Sequence, residues 1–370
     1  MDVVLKELAF NLLKKLSEAV APSGFEDGVK VIVMQEMEKS VDKMWIDSMG
    51  NIIAFKKGNG NGRVMITAHM DEIGLMINAI TNDGFLKFVP IGGWNERILP
   101  NQRVLIKTLD GKIIRGVIGV KPPHIMRPEE AKQVIPMTEL FIDVGASSKE
   151  EVEKIGIGIG SIAVLERTVE RLGNPNVVTG KGFDNRAGTT VLVLLAKMLE
   201  NVNTEVDTYF VATVQEEVGL KGARTAAFAI SPDLGIAIDV TIAADVPGVP
   251  EHDQVTKLGK GPAIKIMDGR AGSGVIVNPA VLKLLIDVAK EEGIPYQIEV
   301  LSGGTTDASA IQLTREGVPV GVVSIPTRYI HSAVEVIHLD DLINTAKLVI
   351  GAIKRINKKW IEENIRKVIK

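Results

Sequence analysis

The sequence predicts an α/β fold in which a mostly parallel central sheet is flanked by helices, with a smaller β domain inserted into it. Short, unbroken runs of β-forming residues alternate with amphipathic helical stretches, as in strands buried on both faces of a parallel sheet. Between residues 73 and 166 the pattern changes to short strands joined by tight turns. A chain of 370 residues is long enough for a large domain with such an insertion.

The first part of the chain supplies two helices and the first strands. Residues 1–20 form an amphipathic pattern with acidic residues inside it, which predicts a helix and not a signal peptide. Ser23 and Glu26 have the spacing of a capping box, so we expect the second helix to begin there. An extended stretch, Met44–Lys56, and a short buried strand, Arg63–Ala68, follow.

The inserted domain is predicted from its hairpin turns. Asn82-Asp83-Gly84 and Asp110-Gly111 are turn sequences that favour tight connections between antiparallel strands. We assign residues 73–166 to this insertion and residues 1–72 and 167–370 to one discontinuous main domain. The strands predicted around the turns are Leu75–Ile80, Phe85–Val89, Arg103–Thr108 and Lys112–Val120.

The α/β pattern resumes after the insertion. Helices are predicted directly after Asp184, from about Lys221, from Pro279 and from Leu339 onward. The buried strands predicted between them are Tyr209–Val214, Leu234–Ile238 and Pro319–Ile325.

Composition excludes several classes of partner and chemistry. The formal net charge of -3 gives no reason to expect nucleic acid or an anionic membrane as a partner. No apolar run reaches transmembrane length, so we expect a soluble cytoplasmic protein. The absence of cysteine excludes disulfides and thiolate ligands. Any bound metal must therefore be held by Asp, Glu and the five histidines.

Residues that can bind a metal stand where the predicted strands end. In an open parallel sheet, ligands bind at the carboxyl ends of the strands. Imidazoles and carboxylates without sulfur suit zinc, cobalt or manganese. Three ligands per ion with one shared carboxylate would make a two-metal site, which can ionise a water. The residues in question are His69, Glu216 with Glu217, Asp239 and His331, together with Asp184 at a predicted helix start.

Each of these residues also has a structural interpretation. An Asp before a helix is commonly an N-cap, and a strand-terminal acid can lie in a solvated loop. The adjacent acids Glu216 and Glu217 leave open a metal-free glycoside hydrolase that uses a carboxylate pair, although such a pair must face each other across the sugar. A non-catalytic structural metal site is a third possibility. The remaining histidines, for which we expect only structural roles, are His124, His252 and His338.

Six motifs follow one another along nearly the whole chain. They are Ala68-His-Met-Asp-Glu-Ile-Gly74, Gly182-Phe-Asp-Asn-Arg186, Val214-Gln-Glu-Glu-Val-Gly219, Ala237-Ile-Asp-Val240, Gly303-Gly-Thr-Thr-Asp307 and Arg328-Tyr-Ile-His-Ser332. This ordered set resembles that of the tetrahedral aminopeptidases, family forty-two of the metallopeptidases, which includes deblocking and glutamyl aminopeptidases.

The resemblance implies a metal-dependent aminopeptidase that hydrolyses N-terminal residues from peptides. Two divalent ions per subunit, Zn²⁺ or Co²⁺, would hold a bridging hydroxide that attacks the scissile carbonyl. The ligands implied are His69 and Asp239 for one ion, Glu217 and His331 for the other, and Asp184 as the bridge.

The resemblance also implies roles for two further acids and a mode of assembly. Glu216 would be the general base, and Asp71 would orient His69. The main domain would be zinc-peptidase-like, and the inserted β-barrel-like domain would mediate dimerisation. Dimers would assemble into a dodecamer with the active sites facing inward. The turn Gly303–Asp307 has one Thr more than the Gly-Gly-Thr-Asp form of the family.

Overall fold

The computed structural model describes residues 2–127, 129 and 133–365. No helix within these residues is both long and apolar enough to span a bilayer. The helices are α1 (Asp2–Glu18), α2 (Asp27–Met37), α3 (Lys149–Lys154), α4 (Phe183–Leu199), α5 (Lys221–Ile230), α6 (Pro279–Glu291), α7 (Asp307–Ile311), α8 (Leu339–Arg355) and α9 (Lys358–Asn364). Residues 366–370, which the sequence assigns to the C-terminal helical region, lie outside the described part.

The strands fall into a central sheet and a barrel. The barrel consists of β4 (Gly74–Ile80), β5 (Leu86–Ile91), β6 (Arg103–Lys107), β7 (Ile113–Gly119), β8 (Phe141–Asp143) and β9 (Ile162–Leu165). The sheet consists of β1 (Lys43–Ile46), β2 (Ile52–Lys56), β3 (Arg63–His69), β10 (Glu170–Arg171), β11 (Val177–Gly180), β12 (Asp207–Thr213), β13 (Leu234–Ile242), β14 (Ala263–Met267), β15 (Gln297–Val300), β16 (Val320–Arg328) and β17 (Glu335–His338).

Parallel pairing dominates the centre of the sheet. The strand order is β1-β2-β12-β3-β13-β16-β17-β11-β10, and β14 joins β15 to β16 beside this path. β12, β3, β13 and β16 are parallel neighbours. The outer pairs, such as β2 with β12 and β16 with β17, are antiparallel. The predicted α/β class is confirmed, with parallel pairing at the centre of a mixed sheet.

Helices cover both faces of the sheet because successive residues of a strand point to opposite sides. On β3, Ile66 belongs to the core beneath α1, α2, α4, α6 and α8, whereas Met65 belongs to the core beneath α5 and α7. Phe210 and Val211 of β12 divide in the same way. Both faces of these strands are therefore buried, which explains why the sequence shows no polar alternation there.

The parallel register brings the chemically interesting residues level with one another. His69, the last residue of β3, is opposite Thr213, the last residue of β12. On the other side of β3, Ala237 of β13 is opposite Thr67, so Asp239 lies level with His69. The expectation that the strand ends at Asp239 is wrong, because β13 continues past it while still paired with β16.

The insertion between β3 and β10 is a closed barrel. Its strands pair in the order β4-β5-β8-β7-β6-β9 around their own hydrophobic core. The predicted hairpin turns join β4 to β5 and β6 to β7, with Gly84 at φ +83 and Gly111 at φ +86. The barrel-like insertion is confirmed. The domain boundaries at residues 72/73 and 166/167 stay a prediction.

A buried ion triad ties the start of the barrel to the sheet. The Glu72 carboxylate lies 2.7 Å from Nζ of Lys181 and 3.3 Å from Nη2 of Arg186. All three side chains are buried. Arg186 also donates to the carbonyl oxygens of Leu16 and Ala21. Removing one member of a buried ion pair typically costs roughly 3–5 kcal/mol, so the triad holds the first turn of α4 firmly in place.

Candidate metal centre

The residues predicted to bind metal converge at the carboxyl ends of the central strands. His69 ends β3, Glu216 and Glu217 follow β12, and Asp239 lies on β13. The remaining two come from loops at the same edge: Asp184 precedes the regular part of α4, and His331 follows β16.

His69 stands among three carboxylates. Its Nε2 atom lies 3.2 Å from Oδ1 of Asp184, 3.6 Å from Oδ1 of Asp239 and 3.8 Å from Oε2 of Glu216. Its Nδ1 atom lies 3.1 Å from the backbone carbonyl oxygen of Asp71. A carbonyl oxygen can only accept a hydrogen bond, so Nδ1 carries a proton, and Nε2 faces the carboxylates.

Asp184 joins the two histidines. Its Oδ2 atom lies 3.2 Å from Nε2 of His331, while Oδ1 faces His69. Burial would raise the pKa of Asp184, but the contacts with His331 and His69 outweigh it and hold the pKa below its usual value. The alternative interpretation of Asp184 as a helix cap is wrong. Asn185 has that role, since its Oδ1 accepts the backbone N–H of Gly188.

Glu217 is the second acid, after Asp184, that lies beside His331. Its Oε1 atom lies 3.2 Å from Nε2 of His331, but this buried oxygen accepts no well-aligned hydrogen bond from the described residues. Burial and the nearby Asp184 charge raise the pKa of Glu217 above its usual value. A buried oxygen with an unused lone pair and a destabilised negative charge is suited to a cation.

Asp71 holds the turn that carries both glutamates. Its carboxylate accepts the backbone N–H groups of Glu216, at 3.0 Å, and Glu217, at 3.2 Å. The Ser23 hydroxyl donates to the same carboxylate at 2.6 Å. The expected capping box is therefore wrong: Ser23 binds Asp71, and α2 begins only at Asp27. The Asp71 carboxylate lies 3.6 Å from Nδ1 of His69.

Two further acids lie at the site: Glu335, which carries no obvious signal in the sequence, and Asp307, which ends the Gly303–Asp307 motif. Glu335 accepts the backbone N–H of His331 at 2.8 Å and that of Asp184 at 3.2 Å. Burial and the Asp184 charge raise the pKa of Glu335 to about 8. Asp307 accepts the Thr213 hydroxyl at 2.6 Å, and burial raises its pKa to about 7.

The other three histidines lie apart from this centre. His338 caps α8, with its Nδ1 accepting the backbone N–H of Asp340. His124 and His252 are exposed in short helical turns. Their predicted structural interpretation agrees with these positions.

The donor set fits divalent cations. Ligand atoms of His69, Glu216 and Asp239 lie within 4.8 Å of one another, and so do those of His69, Asp184 and Glu217. Four acidic side chains share this buried space, and burial raises the pKa of Glu216, Glu217 and Asp239. Their mutual repulsion is relieved if cations lie between them, and imidazole with carboxylate oxygen is a donor set that zinc and cobalt accept.

A cavity of about 740 Å³ borders the centre. The metal-binding candidates form part of its lining, and residues of β13, β14 and the 301–306 turn form other parts. A small molecule or a chain terminus therefore has direct access to the cluster.

The match to known families agrees with this geometry. Residues 50–348 match the family of M42 glutamyl aminopeptidases. A lysyl aminopeptidase of Pyrococcus furiosus is 41% identical over 347 residues, which cover 92% of this chain and 95% of the relative.

Two solved structures are similar over nearly the full length. The aminopeptidase APDkam598 from the archaeon Desulfurococcus kamchatkensis is 53% identical with a TM-score of 0.95, covering 99% of this chain and 100% of that chain. The TET1 peptidase of Pyrococcus horikoshii is 36% identical with a TM-score of 0.84, covering 94% and 100%. The resemblance found in the sequence motifs is thereby confirmed, and the chain belongs to the M42 glutamyl aminopeptidase family.

Proposed function

We propose that the protein is a metal-dependent aminopeptidase that removes N-terminal residues from peptides. The observation that carries the proposal is the Asp184 carboxylate, whose two oxygens lie 3.2 Å from Nε2 of His69 and 3.2 Å from Nε2 of His331. A carboxylate between two imidazoles, with further acids on both sides, is the arrangement expected of a ligand shared by two divalent cations. Membership of an aminopeptidase family supports the reaction class.

We assign each ion to one histidine and to acids that lie near it. His69 and Asp239 would hold one ion, since Nε2 and Oδ1 lie 3.6 Å apart. His331 and Glu217 would hold the other, with Nε2 and Oε1 3.2 Å apart. Asp184 would contribute one oxygen to each ion. Zn²⁺ and Co²⁺ are the ions that this sulfur-free set suits best.

Glu216 would be the general base. Two bound cations would polarise the scissile carbonyl and make a water more acidic. Glu216 would accept the proton of the attacking water and pass it to the leaving amine. Burial, reinforced by the charges of Asp239 and Glu217, raises the pKa of Glu216 well above its usual value. Asp71 would fix the direction of Glu216 through the backbone hydrogen bond at 3.0 Å.

The two alternatives have less support from the geometry. A carboxylate pair that hydrolyses a glycoside must face each other across the sugar. Here Glu216 and Glu217 contact different histidines. A purely structural metal site is closed by its ligands, whereas this centre borders a cavity of about 740 Å³.

The deciding experiment is metal removal followed by reconstitution. Prolonged chelation, verified by elemental analysis, should abolish hydrolysis of aminoacyl-fluorogenic substrates, and Zn²⁺ or Co²⁺ should restore it. The same samples are assayed on a β-glucan. Full peptidase activity without metal would contradict the proposal. Metal-independent glucan hydrolysis would support the glycosidase, and a metal-loaded protein without either activity would support a structural site.

We further propose a homo-oligomer, a dodecamer built from dimers that contact through the barrel. The TET1 peptidase of Pyrococcus horikoshii is described as assembling into a tetrahedron or a large octahedral shell. The barrel exposes large apolar side chains, among them Leu109 and Ile159, which are 71% and 68% exposed. Such residues are expected to be covered by another subunit. Peptides, and not large folded proteins, would then reach active sites that face inward.

A further inference from the structure

The cavity beside the metal centre has a largely apolar wall. Its apolar side chains come from β13, from the start of α5 and from the loops around β15 and β16. At Gly303 the wall has no side chain, and a Cβ added there would meet no atom within 4 Å. A peptide whose first residue reaches the centre would place its side chain in this space. The apolar lining residues are Leu220, Val240, Ile242, Leu301 and Ile330.

One basic residue also belongs to the wall. Among the described residues that line the cavity, Lys265 is the only lysine or arginine, and it is the only charged side chain outside the metal centre. Relatives of this chain are named for glutamyl and for lysyl substrates. The availability of the Lys265 charge therefore decides whether this cavity suits an acidic side chain.

The charge of Lys265 is already balanced inside the protein. Its Nζ atom lies 3.3 Å from Oδ2 of Asp268 and 3.9 Å from Oε1 of Glu299. Lys265 and Glu299 are opposite each other on the parallel strands β14 and β15. The Lys265 side chain is 2% exposed, and both acids are completely buried.

Both acids are fixed by further hydrogen bonds. Oδ1 of Asp268 accepts the backbone N–H of Val275 at 2.7 Å. Glu299 accepts the hydroxyl of Thr241, itself a lining residue. Burial raises the pKa of Glu299, and the Lys265 ammonium opposes that rise. Turning Lys265 toward a substrate carboxylate would leave these buried acids without their cation, which is strongly unfavourable.

A basic substrate side chain finds no partner either. Within the described part of the chain, the acids that line the cavity are Asp184, Glu216, Glu217 and Asp239, and all of them belong to the candidate metal centre. A Lys or Arg side chain would thus lose its hydration in an apolar space without forming an ion pair.

We propose that the cavity selects peptides whose N-terminal side chain is uncharged and apolar, because Asp268 and Glu299 withhold the charge of Lys265 from the substrate. This inference rests on the proposed aminopeptidase function. In this proposal Lys265, Asp268 and Glu299 determine which N-terminal side chain is accepted, and they do not bind metal.

The first test is a substrate panel with the metal-loaded enzyme. Aminoacyl-coumarin substrates of Leu, Met and Phe should have kcat/KM values at least about tenfold above those of Glu and Lys. A higher value for Glu or Lys would overturn the specificity proposal and leave the aminopeptidase function intact. If no substrate in the panel is hydrolysed by enzyme of verified metal content, the proposed function itself fails.

The second test is a double-mutant cycle that isolates the withheld charge. Glu299→Gln keeps the side-chain size and an oxygen for Thr241, but it removes a negative charge beside Lys265. The Glu-to-Leu ratio of kcat/KM should rise roughly fivefold or more. Lys265→Met should not raise that ratio, since the wild-type ammonium is not offered to the substrate and its loss leaves Asp268 and Glu299 without a cation. In the double variant the rise should disappear.

Glu316→Gln is the matched control, since Glu316 is exposed and does not line the cavity. Each ratio compares two substrates on one preparation, so partial loss of folded enzyme does not affect it. An unchanged ratio in Glu299→Gln would overturn the role of Glu299. A rise that persists in the double variant would show that it does not come from the Lys265 ammonium.

Discussion

Glu216 and Glu217 are adjacent in the chain, yet their carboxylates contact different histidines. Oε2 of Glu216 lies 3.8 Å from Nε2 of His69, whereas Oε1 of Glu217 lies 3.2 Å from Nε2 of His331. Both backbone N–H groups donate to Asp71, which anchors the turn from which the two side chains diverge. This divergence allows one glutamate to bind metal while its neighbour handles the proton.

The two glutamates should respond differently to the same substitution. Glu217→Gln should lower the metal content by about one ion per subunit, because an amide oxygen is a poorer donor to a divalent cation. Glu216→Gln should keep both ions and reduce kcat by roughly 10²–10⁴-fold, since a positioned proton-transfer group is lost. Elemental analysis and steady-state kinetics on both variants measure the difference.

An opposite pattern would reverse the proposed roles of the pair. If Glu216→Gln empties a site and Glu217→Gln retains both ions, Glu216 is the ligand. Glu316→Gln, at an exposed acid distant in sequence from the turn, is a suitable control for charge removal alone.

Metal binding should release protons at neutral pH. Burial would lower the pKa of His331, but Asp184 and Glu217 raise it to about 11 in the metal-free site. Burial likewise opposes protonation of His69, but Glu216 and Asp239 raise its pKa well above the usual value. These raised pKa values favour the protonated form of both imidazoles, whereas an imidazole that binds a metal must be neutral. About two protons per subunit should leave the histidines as the ions bind.

Calorimetric titration of the metal-free protein in buffers of different ionisation enthalpy measures this release. The same mechanism requires that metal affinity falls as pH falls from 8 to 6, since more work is needed to deprotonate each imidazole. A heat of binding that is independent of the buffer would count against these protonation states.

Glu335 should affect the metal centre although it is not a proposed ligand. Its carboxylate accepts the backbone N–H groups of both Asp184 and His331. Glu335→Gln leaves only one acceptor for these two donors, so the two ligand-bearing segments lose a common anchor. We expect metal affinity to fall roughly 10–100-fold, as is usual for groups that orient ligands. Competition with a chromophoric chelator measures it, and an affinity within about twofold of wild type would exclude this role.

The particle mass should be about twelve times the 39.9 kDa of one subunit. Leu109→Glu together with Ile159→Glu places charges on the exposed apolar surface of the barrel and should reduce the particle size. Light scattering on the wild type and the double variant makes the comparison, with the exposed main-domain substitution Val31→Glu as the control. A wild-type monomer under native conditions would rule the assembly out.

Much of the candidate site could be predicted because its residues stand at recognisable places in the sequence. His69 and the Glu216-Glu217 pair follow buried strands whose carboxyl ends must meet at one edge of the sheet. Asp184 was harder to interpret, because an acid before a helix is usually a cap. The structure shows that Asn185, the residue after Asp184, is the cap, because its Oδ1 accepts the backbone N–H of Gly188.

Other features depend on tertiary contacts that no local pattern encodes. Glu335 reaches Asp184 across 151 positions of the chain. Ser23 has the spacing of a capping motif, yet its hydroxyl donates to the buried Asp71 carboxylate, a partner that is available only after folding. The antiparallel outer pairs of the sheet could not be predicted from the sequence either, since an apolar run does not show whether its partner strand is parallel or antiparallel.

The barrel lies in the sequence between β3 and the strands that pair with β3, so it is synthesised before them. Both neighbours of β3, namely β12 and β13, leave the ribosome only after the whole barrel has been made. The barrel strands pair within residues 74–165, and tight turns join β4 to β5 and β6 to β7. We therefore expect the barrel to fold first, at a stage when β3 has not yet paired with β12 and β13. Pulsed hydrogen exchange during refolding should protect the amide of Leu105 before that of Ile66.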